Sequence, residues 1–340
     1  MKVSVIVPVR NERNFIEECI DSIIAQDYPG ELIEIIIVDG MSDDGTREII
    51  SDKYLSCGSN IKLIDNPKKI APTAMNIGIK ASAGDVIIRI DGHSYMERDF
   101  IAQAVKLLQD NPDIDCVGGP IESINTTFKS KVISLAMSSP FGVGNARFRY
   151  SKKAQLVDTL AFGAYRREVF EKIGLFDEEL VRNQDDEFNF RLTKNGGKIL
   201  LSPKIRSNYY TRSSFGKLWR QYYQYGFWKV RVMQKHGQVA SLRHLVPVTF
   251  VLSLILTGVL SFVSHIFLWL FTFICLSYLA GALIFAVKAG KDEGIIYVLY
   301  LPFAFFILHS SYGLGFIEGI WHFYIKKGRT SKDRHKDLSR

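Results

Sequence analysis

Three short stretches of this chain combine acids with neighbours that could put them to chemical use. Asp91 and His93 stand two apart in Arg89-Ile90-Asp91-Gly92-His93, so both can face one cation, and Gly92 permits close backbone approach. Oxygen ligands favour magnesium and an imidazole tilts the choice toward manganese, a cation suited to neutralising a diphosphate. The same five residues also read as a plain turn after a strand. Asp39 opens Asp39-Gly40-Met41-Ser42-Asp43-Asp44-Gly45-Thr46. A carboxylate at a strand end can accept the imide N–H of uracil, whereas the bland reading is a turn and a helix cap. In Asn183-Gln184-Asp185-Asp186-Glu187 the acids cluster at a predicted helix start. The helix dipole favours their ionised form there, which suits a base and equally suits ordinary capping.

These residues need a frame to bring them together. Val3 to Val9 is a β-branched run, and Ile33 to Val38 and Val86 to Ile90 repeat the pattern, with a further strand predicted over Ile61 to Ile64. Helical spacing fills the intervals at 12–26, 45–55 and 73–81. Strands alternating with helices imply a parallel α/β sheet with its ligand site at the strand C-terminal ends. A dinucleotide-binding domain would place GxGxxG after the first strand. Here that turn reads Pro8-Val9-Arg10-Asn11-Glu12, which excludes hydride transfer.

Charge divides the chain. Residues 1–203 carry 25 Lys and Arg against 30 Asp and Glu, so the overall +8 arises elsewhere and predicts no nucleic-acid partner. Residues 204–243 hold nine basic residues and no acid, and residues 215–236 mix those cations with aromatics. That mixture fits a helix in a membrane interface, or a soluble packing helix. The 43 residues from Leu245 to Val287 contain no charge, about twice the ~20 of one membrane span, and predict a helical hairpin turning near Ser264-His265. Ile295 to Ile317 is a second uncharged run, followed by a basic tail at 326–340. Three full spans starting inside would carry that tail outside, against the positive-inside tendency; either the tail is an exception or one segment is re-entrant. Cys19, Cys57, Cys116 and Cys275 have no CxxC spacing, so neither zinc nor a disulfide framework is expected. The first apolar run is too short for a signal peptide, which predicts a catalytic part on the cytosolic side.

Taken in order, VSVIVPVRNE, IIIVDGMSDDGT, AMNIGIKASAGDVIIRIDGHS, FGAYRREVFEKIGLFDEEL and NQDDEFNFRLTKNGG resemble the family 2 glycosyltransferases over about residues 1–210. The resemblance implies the GT-A nucleotide-diphospho-sugar transferase fold. It implies Asp39 as the base-recognising carboxylate, with Pro8, Glu12 and Asp91 in the nucleotide pocket. Asp91 and His93 match the family's metal motif, usually Asp-x-Asp, and would hold Mn2+ or Mg2+. Asp185 matches the catalytic base, although Gln184 stands where the family has Glu, and Asp186 and Glu187 lie close by. With its apolar C-terminal part the chain is similar to succinoglycan-type exopolysaccharide glucosyltransferases. Processive synthases of the family carry Gln-x-x-Arg-Trp, and Gln224-Tyr225-Gly226-Phe227-Trp228 lacks the Arg, which favours transfer of a single sugar.

The expected organisation is a catalytic domain at 1–210, an interfacial segment at 211–243, membrane helices at 244–322 and a basic tail at 323–340. The expected partners are a nucleotide sugar (UDP-linked), a polyprenyl-linked saccharide acceptor and membrane lipids, at a bacterial inner membrane. Transfer to polyprenyl phosphate itself, or a non-catalytic nucleotide-sugar-binding scaffold, are the alternatives.

Overall fold

The computed structural model describes residues 1–55, 60–238 and 241–326; Cys57 and nearly all of the basic tail lie outside them. In chain order the first elements are β1 (Val3–Val9), α1 (Ile16–Ile24), β2 (Ile33–Asp39), α2 (Thr46–Lys53), β3 (Ile61–Asp65), α3 (Ala71–Ala81), β4 (Val86–Arg89), β5 (Ser94–Met96) and α4 (Phe100–Asp110). They continue as β6 (Cys116–Gly118), β7 (Ile121–Ile124), α5 (Phe128–Met137), α6 (Pro140–Val143), β8 (Gln155–Val157), β9 (Ala164–Arg166), α7 (Arg167–Ile173) and α8 (Gln184–Lys194). The last are β10 (Ile199–Leu201), β11 (Ser207–Tyr210), α9 (Phe215–His236), α10 (Val246–Leu260), α11 (His265–Gly290) and α12 (Ile295–Ile320). The chain divides into two compact units, one of Met1–Ser123 with Arg147–Tyr210 and the other of Ile124–Ala146 with the chain from Thr211 onward.

The first unit is built on an eight-stranded sheet in the order β3-β2-β1-β4-β9-β6-β10-β8, beside a three-stranded sheet β5-β11-β7. Strands β3, β2, β1 and β4 run parallel, as the alternating pattern predicts. Their Val and Ile side chains are enclosed on both faces, with Val5, Ile6, Val7, Ile36, Ile37 and Ile88 fully buried. Each such side chain contributes on the order of 1.5–3 kcal/mol relative to exposure. β9 then joins β4 antiparallel, and a half of short strands completes the sheet.

Register brings the strand ends together: Val9 pairs with Asp39, and Asp39 with Asp65. Pro8 sets where the central ladder stops. The Ile90 N–H reaches the Ile6 carbonyl at 3.1 Å. The next rung would need an N–H from residue 8, which proline lacks. The chain is thereby released from β4 into Asp91-Gly92-His93.

In the second unit α12 is central. Gly226 of α9 meets the Tyr312 carbonyl of α12, and Gly315 of α12 meets the Tyr223 carbonyl, so closely that a side chain on either glycine would collide with backbone. α9 packs lengthwise on α12 through this seam, with Lys217, Trp219, Arg220 and Lys235 left exposed. The α10–α11 hairpin turns at residues 261–264, where the sequence predicts. His309, inside α12, is held from both sides: Tyr278 Oη lies 2.9 Å from Nδ1 and the Phe141 carbonyl 2.8 Å from Nε2. An imidazole within an apolar helix is costly unless partnered, so these contacts account for it.

Three helical stretches, Leu242–Leu260, His265–Gly290 and Ile295–Ile325, are long and apolar enough to cross a membrane. Phe262, Trp269 and Phe273 are 93%, 74% and 69% exposed, a state water would not favour and lipid would. Membranes washed with alkaline carbonate should therefore retain the full-length protein, and detergent should release it. Quantitative release by carbonate alone would contradict membrane spanning.

Candidate active site

The loops after β1 and β2 are knitted to each other before any ligand is considered. Asn11, at φ 56°, exchanges side-chain and backbone bonds with Asp43, and its own N–H reaches Ser42 Oγ at 2.9 Å. The Glu12 N–H donates to Thr46 Oγ1 at 2.9 Å. Met41, at φ 58°, is a second left-handed residue in these turns. Non-glycine residues in that region cost on the order of 1 kcal/mol or more and persist where surrounding bonds fix them.

Asp39 is fully buried. Its Oδ1 accepts the Ser42 hydroxyl at 2.5 Å, while Oδ2 takes the Ser42 N–H at 3.1 Å and Arg47 Nη1 at 2.9 Å. Arg47 also reaches Asp65 at 2.5 Å. A base would reach Asp39 by exchanging with one of these donors, and Arg47, whose side chain is 36% exposed, is the accessible one. Arg47 is a residue that sequence reading passed over. The signal was its place in the first turn after Asp44-Gly45-Thr46.

Glu12 and His93 meet: Glu12 Oε1 lies 2.9 Å from His93 Nδ1, with both side chains largely buried. Gly92 lies against them, and a β-carbon there would come within 3.3 Å of Glu12 Cγ and Val9 Cγ2. A carboxylate behind one imidazole nitrogen is the arrangement that orients a metal-ligating histidine. Among the described residues no group of three or more His, Cys, Asp and Glu side chains forms a ready cation cage. Asp91 and His93 would therefore hold a cation only together with ligands from bound substrate or water. Behind them Cys19 Sγ lies 3.6 Å from the Asp91 carbonyl, and burial pushes its thiol pKa up, so it is no nucleophile.

Arg89 joins the two candidate acids. Its Nε and Nη2 hold Asp91 Oδ1 at 3.0 and 2.9 Å, and Nη1 lies 4.0 Å from Asp185 Oδ2. Nη1 is buried with no hydrogen-bond partner among the described residues. The sequence shows Arg89 two residues before Asp91, on the same strand face, but nothing in it reveals Asp185 on the far side.

α8 brings Asp185 there. Tyr165 of β9 pairs with Ile87 of β4, and its hydroxyl donates to Asn189 of α8 at 2.7 Å. Asn189 in turn donates to the Leu160 carbonyl at 3.0 Å. The helix opens on Asn183 at φ 61°, and Asp185 Oδ1 accepts the Asp186 N–H at 2.9 Å. Desolvation raises the Asp185 pKa above the ordinary value, opposed by Arg89 and reinforced by Asp186, even though the side chain keeps 35% of its surface open. Glu187 is differently placed. It is buried and gripped by Arg191 at 2.9 and 3.1 Å.

Known proteins resemble this chain over most of its length. The profile of "Glycosyl transferase family 2" matches residues 4–174. The chain is 32% identical over 328 residues to the dolichyl N-acetyl-alpha-D-glucosaminyl phosphate 3-beta-D-2,3-diacetamido-2,3-dideoxy-beta-D-glucuronosyltransferase of Methanococcus voltae, covering 94% of this chain and 97% of that one. The chain belongs to glycosyl transferase family 2. This glycosyltransferase is also 28% identical over 247 residues to the succinoglycan biosynthesis protein ExoA of Rhizobium meliloti, covering 72% of this chain and 73% of that protein. Among solved structures, the mannosyltransferase PcManGT of Pyrobaculum calidifontis, bound to GDP-Man and Mn2+, superposes with a TM-score of 0.59 at 18% identity. The match spans 94% of this chain and 87% of that one, and establishes the GT-A-like fold. GalNAc-T7 with UDP, GalNAc and Mn2+ matches at a TM-score of 0.53 and 22% identity, over 69% of this chain and 48% of that one. The chain is thus a hexosyltransferase, on a GT-A fold that carries apolar helices at its C-terminal end.

Proposed function

We propose that this enzyme transfers one sugar, with inversion, from a UDP-sugar to a lipid-linked saccharide during synthesis of an exopolysaccharide or other cell-surface glycan. The observation that carries the reading is the line Asp91–Arg89–Asp185, which sets a diphosphate-side acid and a second acid across one buried guanidinium. An inverting displacement needs that separation: the leaving group departs on one face and the acceptor hydroxyl attacks from the other. A divalent cation held by Asp91 and His93 would neutralise the leaving diphosphate. Asp185, its pKa raised by burial, takes the proton of the attacking hydroxyl. Pro8 and Glu12 shape the nucleotide pocket, Asp39 reads the base, and Glu12 orients His93. Support for the acceptor comes from two relatives, one named for a dolichyl-linked sugar phosphate and one for succinoglycan biosynthesis.

In this reading residues 1–210 supply the chemistry, 211–243 lie at the membrane surface, 244–322 anchor the enzyme in a bacterial plasma membrane and 323–340 form a basic tail. The catalytic part faces the cytosol, where nucleotide sugars are made. Donor choice has a direct test. With Mn2+ present, UDP should bind more tightly than CDP, whose N3 has no proton to give a carboxylate, and Asp39→Asn should weaken that preference about tenfold, the loss of one charge-assisted hydrogen bond. A preference for CDP in the wild type would overturn the UDP assignment.

A further inference from the structure

β4 reads Val86-Ile87-Ile88-Arg89, and all four residues are buried. Arg89 shares a strand face with Ile87, which packs in a core with Tyr165 and Phe188. Valine or isoleucine would serve the sheet at that position, so an arginine there carries a desolvation cost that packing does not return. A structural arginine of the same fold offsets that cost by using every nitrogen. Arg191 donates from Nε to Glu187, from Nη1 to the Ile173 carbonyl and from Nη2 to Glu187 and the Leu175 carbonyl. Arg89 does not. Its Nε and Nη2 both end on Asp91 Oδ1, at 3.0 and 2.9 Å, and Nη1 is buried without a hydrogen-bond partner among the described residues. The nitrogen left over is the one nearest the proposed base, 4.0 Å from Asp185 Oδ2. Sequences break local rules in this way where function asks for it.

The groups facing Asp185 are Arg89 of β4, Asp91 just beyond it, Asp186 on the same helix and Tyr165 of β9. Burial favours the protonated carboxyl, as do the charges of Asp186 and Asp91, and Arg89 is the one cation in the set. We propose that Arg89 is a positioning residue for the transfer, keeping the Asp185 carboxylate ionised and in place to collect the acceptor's proton. The inference rests on Asp185 as the base. At 4.0 Å the contact works by charge rather than by a hydrogen bond, so Oδ2 keeps its lone pairs for the hydroxyl. Glu187 shows the alternative: Arg191 bonds both its oxygens at 2.9 and 3.1 Å, which spends that carboxylate on structure. The acceptor's proton passes to Asp185 while its oxygen bonds the anomeric carbon, and the electron pair of the breaking bond leaves with the diphosphate. Arg89 exchanges no proton, because a guanidinium stays charged throughout.

The test follows kcat against pH for the full-length protein in detergent. Turnover is read as UDP released from the UDP-hexose that the wild type consumes fastest, with detergent-extracted lipid-linked saccharides as acceptors. Arg89→Gln removes the charge but keeps a donor for Asp91, and its acid limb should move up by about 1–3 units. Its loss in kcat should be about tenfold or more at the acid end and shrink as pH rises, with the donor's KM nearly unchanged. A purely structural defect would instead lower kcat by one factor at every pH. Arg89→Lys keeps the charge without the fork, so its limb should stay within about half a unit of the wild type while kcat falls about tenfold throughout. If Arg89→Gln does not fold, Arg89→Lys decides alone. An unmoved limb in Arg89→Gln, a limb in Arg89→Lys displaced by about a unit or more, or wild-type kcat in Arg89→Lys would overturn the proposal. Asp185→Asn separates the two readings. A limb that persists in it rejects the base and this inference together, whereas a limb lost there but unmoved in Arg89→Gln rejects the role of Arg89 alone.

Discussion

Asp185→Asn should lower kcat by roughly 10²- to 10⁴-fold while leaving the affinity for the nucleotide sugar nearly unchanged. At ~1.4 kcal/mol per tenfold, that is roughly 3–5 kcal/mol of barrier. Asparagine keeps the size of the side chain and can still accept the Asp186 N–H, but it cannot take a proton from the acceptor hydroxyl. In the proposed reading the donor is held elsewhere, at Asp39 and Asp91, so its binding has no reason to change. The same substitution should alter the pH profile. The base works only when ionised, so kcat falls as pH drops through its pKa. Burial raises that pKa, which puts the acid limb above the ordinary aspartate range, and Asp185→Asn should abolish the limb. Glu187→Gln should act otherwise. Its carboxylate is spent on Arg191, so its loss should lower the melting temperature with a smaller effect on kcat. Near wild-type turnover in Asp185→Asn together with none in a folded Glu187→Gln would shift the base by two residues.

Asp91→Ala should cost on the order of 10³-fold in kcat/KM, because the diphosphate leaving group loses its main electrostatic support. His93→Asp should keep a good part of the activity by restoring the family's usual ligand type, though without the orienting contact to Glu12. EDTA should abolish turnover, and added Mn2+ or Mg2+ should restore it. Undiminished turnover in excess EDTA would reduce Asp91-Gly92-His93 to a turn.

The parallel half of the sheet was readable because β1, β2 and β4 are short runs dominated by Val and Ile, with no regular polar alternation to confuse them. Asp39, Asp91 and His93 stood out as candidates for the same reason: each follows one of those runs, and strand ends are where a parallel sheet keeps its site. The second half was not. β6, β8, β9 and β10 are three residues each, too short for a period to declare itself, and their pairing is set by tertiary contacts. The grouping of Ile124–Ala146 with the C-terminal helices was equally hidden, since residues far apart in sequence make those contacts. Choosing among Asp185, Asp186 and Glu187 required knowing what stands opposite each. Arg89 beside Asp185 and Arg191 around Glu187 give the two acids different surroundings, on which the proposed choice rests and which a single sequence does not show.

The most direct test of the whole account is mass spectrometry of the lipid fraction after incubating the purified enzyme with a UDP-sugar and detergent-extracted lipid-linked saccharides. The expected result is one added sugar per acceptor, one UDP released per sugar, inverted anomeric configuration by NMR and no product from Asp185→Asn. Transfer to polyprenyl phosphate lacking any sugar, or UDP release with no change in the saccharide, would contradict it.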